Sequence, residues 1–166
     1  MRLHLKLIVA TAALALCALP ASRAMAHCQI PCGIYDDAQR IDRMSEDLTT
    51  IEKSMRQIAE LSAKEKPDFN QIVRWVLTKE DHVAAFSEIV TDYFMAQRIK
   101  PVDPGDPAAY QVYVRQATLL HRLLVSAMKA KQTTDLKQVE ELHGLLDEFK
   151  AAYPLASPEP APAKTK

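Results

Sequence analysis

Between residues 36 and 63 apolar side chains recur at steps of three and four: Ile41, Met44, Leu48, Ile51, Met55, Ile58 and Leu61. That spacing gathers them on one face of a 3.6-residue helix and leaves the charged residues on the other. The same period returns three times. Lys64-Glu65-Lys66-Pro67 ends the first helix, and Asp68 or Pro67 opens a second that runs to about Ile99 with Ile72, Val76, Val83, Phe86, Val90 and Tyr93 on one face. PVDPGDP at 101–107 is the clearest turn, and Asp106 before Pro107 reads as a cap followed by proline at the first helical position. The third helix carries Tyr113, Ala117, Leu120, Leu124 and Met128 and ends near Lys131. Thr133 or Thr134 caps a fourth, with Leu136, Val139, Leu142, Leu146 and Phe149 inward. No segment has a convincing strand pattern, and only three glycines occur in 166 residues. The expectation is an all-α chain, an antiparallel up-and-down four-helix bundle over 36–153. Residues 154–166, rich in Pro and Ala, have nothing to bury and are expected to be disordered.

Residues 1–26 follow a different logic. Arg2 and Lys6 give a basic start, LIVATAALALCALP at 7–20 is a short apolar run, and Ala24-Met25-Ala26 is an A-x-A cleavage signal. This is the pattern of a secretory signal peptide, too short in its apolar part to span a membrane comfortably. Signal peptidase is thus an expected partner. The expected product is exported, periplasmic or secreted, with no stable membrane association. Cleavage leaves 140 residues, the size of one domain. The leader holds three of the 21 basic residues and none of the 21 acidic ones, so the mature chain is net acidic by three. No basic stripe marks a nucleic-acid partner.

The mature chain would begin HCQIPCGIY. Cys28 and Cys32 are the cysteines that remain once Cys17 leaves with the leader. An oxidising compartment offers them a disulfide, but a bridge across so short a loop stabilises little. Ligation is the alternative. Once cut, His27 has an imidazole and a free α-amine, Cys28 a backbone amide and a thiolate, and Cys32 a second thiolate. The His27 amine with the Cys28 amide closes a five-membered chelate ring, and the amide and thiolate of Cys28 close another. Amine, amide and two thiolates fill a plane, with the imidazole left for an axial position. Planar N and S ligation points to Ni(II) or Cu(II), not to tetrahedral zinc. Three residues separate the cysteines, so the motif is not the C-x-x-C of a thioredoxin-like site. Pro31 and Gly33 would shape residues 27–35 into a hook.

His27, Cys28, Pro31, Cys32, Gly33 and Tyr35, as H-C-x-x-P-C-G-x-Y at a processed end before four helices, resemble the nickel superoxide dismutase family. The resemblance implies a homohexamer of four-helix bundles. It implies one nickel per chain, bound by the His27 amine and imidazole, the Cys28 amide and thiolate and the Cys32 thiolate. The implied reaction disproportionates superoxide to dioxygen and hydrogen peroxide by Ni(III)/Ni(II) cycling. His27 ligation would favour the oxidised state, and Tyr35 would restrict access and order water. Around the imidazole the resemblance points to Asp42 as the orienting carboxylate, with Glu46 as fallback. It also points to Arg74 and His82, where the family has two arginines, and to Tyr93 in Asp92-Tyr93-Phe94.

Three rivals stand beside this reading. A di-iron bundle needs two E-x-x-H pairs, and Glu140-x-x-His143 is the single one present. An exported helical protein holding nickel or copper without turnover would use the same hook. A plain secreted helical protein with a Cys28–Cys32 disulfide leaves the placement at the cleavage site unexplained. The dismutase reading explains it: before cleavage the His27 nitrogen is an amide and cannot serve as an amine donor.

Overall fold

The computed structural model describes residues 36–153. Residues 1–26, expected to be a leader, and 154–166, expected to be a disordered tail, therefore lie outside the described residues. Helix α1 spans Asp37–Ser62. Helix α2 spans Phe69–Glu88 and continues without interruption as a π-helical segment, Ile89–Arg98. Helix α3 spans Pro107–Lys131 and α4 spans Leu136–Ala152. No strand occurs among the described residues.

All four helices start on an aspartate. The side chains of Asp36, Asp68, Asp106 and Asp135 accept from the backbone N–H of Gln39, Gln71, Ala109 and Lys137. Each satisfies one of the free donors of a first turn, worth about 1 kcal/mol. Pro107 sits behind its cap as expected. The cap of α4 is a correction: it is Asp135, and the Thr133 hydroxyl instead accepts from the Asp135 N–H at 3.0 Å.

The helices share one core, α1 lying against α2 and α4, and α3 against the same two. Helix α1 buries Ile41, Met44, Leu48, Ile51, Met55 and Ile58 as its period predicts. Helix α4 buries Val139, Leu142, Leu146 and Phe149, again on the predicted face. Helix α3 is rotated from expectation. Its buried stripe is Leu119, Leu120, Leu123, Ala127 and Ala130, while Met128 is 54% exposed. Two overlapping apolar stripes run along this helix, and periodicity cannot choose between them.

The predicted face of α2 is correct only from Val83 onward. Val76 is exposed, as are Phe69, Val73 and Leu77. Lys79, only 4% exposed, donates from Nζ to the carbonyls of Ala130, Lys131 and Thr133 at 3.1, 2.5 and 3.2 Å, which ties α2 to the turn between α3 and α4.

Candidate metal centre and its surroundings

His27, Cys28, Pro31, Cys32, Gly33 and Tyr35 lie outside the described residues. Helix α1 begins at Asp37, two residues after Tyr35, and side chains from the ends of α2 and α4 converge on that residue.

At that point Asp37, 7% exposed, receives three hydrogen bonds. The Tyr93 hydroxyl donates to Oδ1 at 2.6 Å. Arg98 Nη2 and the Tyr153 hydroxyl donate to Oδ2 at 2.7 and 2.8 Å. The donors come from the end of α2 and from the residue that follows α4. Arg98 Nε also donates to the Tyr153 hydroxyl at 3.3 Å. Beneath them lies an aromatic cluster. Phe94 meets Tyr93, Phe149 and Tyr153 edge to face at 5.0 to 5.5 Å, and Tyr153 stacks on Phe149 at 5.4 Å. Above Tyr93, 5.3 Å from its ring centre, is the guanidinium of Arg40, a cation over a π face.

Electrostatics follow from this packing. Burial by itself raises the Asp37 carboxyl, but the hydrogen bonds from Arg98, Tyr93 and Tyr153 and the charge of Arg98 outweigh it and hold the group below the usual carboxylate range. Burial, reinforced by the Asp37 carboxylate, drives the Tyr93 hydroxyl well above an ordinary phenol. Tyr153 rises for the same two reasons. The cluster thus holds one anion, one cation and two neutral phenols at neutral pH.

The π-helical backbone makes this convergence possible. Tyr93 and Arg98 are five residues apart. At 3.6 residues per turn they would point about 140° away from each other. In the wider i→i+5 turn residues five apart come much closer to the same side of the helix. The last bond of the run, from the Ile99 N–H to the Phe94 carbonyl at 2.8 Å, keeps that spacing.

The other residues marked from sequence are placed as follows. Tyr93 is buried in the cluster. Asp42 and Glu46 are exposed on α1, where with Gln39, Arg40 and Arg43 they line a half-open cavity of about 520 Å³. Glu46 accepts from Arg43 Nη1 at 3.3 Å. Arg74 is exposed, eight residues before His82 on α2. His82 is half-buried and does face a carboxylate, but that of Asp47: Nδ1 lies 2.7 Å from Oδ1. Asp47 is fully buried, and its Oδ2 has no hydrogen-bond partner among the described residues. Of the positions named from sequence, the structure brings only Tyr93 into the Asp37 cluster.

Asp37, Asp47, Arg98 and Tyr153 escaped the sequence reading. A signal for three of them existed. Asp37 continues the stripe of Ile41 and Met44 one turn back, and Tyr153 continues that of Leu146 and Phe149 one turn on. Asp47 sits within the α1 stripe beside Leu48. A polar residue in phase with a core stripe is buried, and a buried polar residue needs a partner.

Among the described residues no group of three His, Cys, Asp or Glu could hold a metal ion. His143 Nε2 faces Glu52 at 3.8 Å, and Glu140 is exposed. A sequence model of nickel-containing superoxide dismutase matches residues 22–156, a span that runs across residues 27–35 and all four helices. The chain belongs to the nickel-containing superoxide dismutase family. No curated protein and no solved structure matches it. As a member of this family it is all-helical over the described residues, and none of its described helices is long and apolar enough to cross a membrane.

Proposed function

We propose that this family member is a nickel-dependent superoxide dismutase, one nickel per chain, converting two superoxides and two protons to dioxygen and hydrogen peroxide. The observation that carries the reading is the family match over residues 22–156. The donor set fits the metal: two thiolates, an amine, an amide and an imidazole are the sulfur and nitrogen donors that nickel takes. The His27 amine and imidazole, the Cys28 amide and thiolate and the Cys32 thiolate would hold it. Nickel, when bound there, supplies the one-electron couple.

The chain's own residues do the rest. Cleavage after Ala26 by signal peptidase, on export to the periplasm or exterior, frees the His27 amine. Pro31 and Gly33 turn the chain so that both thiolates reach one centre. Tyr35 limits entry and orders water. Asp42, Arg74, His82 and Tyr93 are the candidates for orienting the imidazole. The helices run antiparallel, up and down, as the short links at 63–68 and 132–135 suit. Six chains form the assembly.

Stopped-flow decay of superoxide tests this. Protein beginning at His27 and loaded with nickel accelerates decay far beyond free nickel. No acceleration from protein that retains its nickel sinks the dismutase reading and leaves a nickel-binding protein without turnover.

A further inference from the structure

Two costly features meet at one residue. Burying a carboxylate and a guanidinium adds little stability over apolar packing of the same volume, because desolvation cancels most of their attraction. A π-helical run is rare, and where one occurs it is frequently at a functional site. Here the π segment serves to aim Tyr93 and Arg98 at Asp37. The partners of Asp37 lie 56, 61 and 116 residues away in sequence. Apolar contacts permit sliding, whereas three hydrogen bonds on one carboxylate fix direction as well as position.

Asp37 has a particular place in the chain. Its neighbour Asp36 is exposed and caps α1 locally, while Asp37 turns inward. Tyr35 is two residues away, so its Cα lies within about 7.6 Å of the Asp37 Cα. Cys32 is five residues away and within about 18 Å. Wherever the chain runs before residue 36, it leaves from a point held by this clamp.

We propose that Asp37 is a positioning residue, held by Tyr93, Arg98 and Tyr153 so that residues 27–35 are anchored at their root. The inference rests on the nickel reading of those residues, and it makes the clamp a determinant of how firmly they retain the metal. It predicts an effect on metal retention out of proportion to the effect on stability.

The test compares Asp37→Ala, Asp37→Asn and Arg98→Lys with Lys79→Met. Lys79 is also buried and hydrogen-bonded, but it lies about 20 Å along α2 from Tyr93. Three quantities are read on protein starting at His27: hydrogen exchange of residues 27–36 in reduced, metal-free protein, release of nickel to a chelator, and thermal midpoint. In the Asp37 variants, exchange at 27–36 quickens and nickel leaves about ten- to a hundredfold faster, the usual scale for residues that orient a metal site. Arg98→Lys retains a charge and shows a smaller change in the same direction. Lys79→Met lowers the thermal midpoint and leaves both other quantities as in the wild type. The proposal is overturned if Asp37→Asn exchanges and releases nickel like the wild type, or if Lys79→Met shifts both as much as the Asp37 variants do. Should wild-type protein fail to bind nickel, the nickel reading fails. The exchange comparison then still decides whether Asp37 anchors the segment.

Discussion

The two ends of helix α2 are built on opposite principles. At its start, Phe69, Val73, Val76 and Leu77 are apolar, regular in backbone and exposed. At its end, Tyr93 and Arg98 are polar, carried on a π-helical backbone, and directed onto the buried carboxylate of Asp37. A helix designed for stability alone would have these reversed. The start of α2 leaves four apolar side chains exposed. The far end buries polar groups because three segments are tied at Asp37, two residues after Tyr35 in sequence.

The largest effect separating the two ends concerns chemistry. One residue added before His27 converts the amine to an amide, and superoxide decay should fall to the rate of free nickel in stopped flow. Retained activity would remove amine ligation. Substitution of the exposed Phe69, Val73 or Leu77 at the start of α2 leaves that rate alone.

Stability gives the next contrast. Asp37→Ala leaves Arg98 without its carboxylate and should cost about 3 kcal/mol in urea unfolding, the lower end for breaking a buried pair because Arg98 keeps some exposure. Lys79→Met, which strips three carbonyls at the end of α3 of a charged donor, should cost about 2 kcal/mol. A smaller loss at Asp37 than at Lys79 would reverse the ranking of the two regions.

Acid sharpens the comparison further. The Asp37 carboxyl is held below its ordinary range by Arg98, Tyr93 and Tyr153 acting against burial. Its contribution is therefore complete above about pH 4, the unfolded value, and is lost as pH falls through the lower folded value. Asp37→Asn should flatten the acid limb of a stability profile. An unchanged limb would show that other carboxylates govern it. At the alkaline side the sign reverses. Tyr93 is raised, so its contribution is complete below about pH 10 and is lost above it, and Tyr93→Phe should flatten that limb.

The smallest effect is expected at the exposed start of α2. Leu77→Gln should change unfolding free energy by no more than about 0.5 kcal/mol. A larger loss, or a lower mass of the native assembly, would show that another copy of the chain covers this stretch in solution.

Much of the fold was legible before any coordinates. The stripe of α1 from Ile41 to Ile58 and that of α4 from Val139 to Phe149 are buried as their periods require. The caps Asp68 and Asp106 stand where the sequence marked them. The facing of α3 was not legible, because Leu119–Leu123–Ala127 and Leu120–Leu124–Met128 are both apolar helical rows. The π segment was invisible as well: IVTDYFMAQR fits an ordinary helix in period and propensity. At the candidate site, Tyr93 was found through resemblance, whereas Asp37 and Tyr153 were missed although each extends a core stripe by one turn.

The sequence by itself determined what is settled within a turn or two: four amphipathic helices, aspartate caps, proline-marked breaks, and the gathering of His27, Cys28 and Cys32 within six residues. These depend on neighbours three or four residues away, which the chain order supplies. Tertiary structure alone decided the rotation of α3, the exposure of Phe69 to Leu77, the pairing of His82 with Asp47, and the convergence of Tyr93, Arg98 and Tyr153 on Asp37. Each of these depends on how one helix packs against another across the bundle rather than on any local preference.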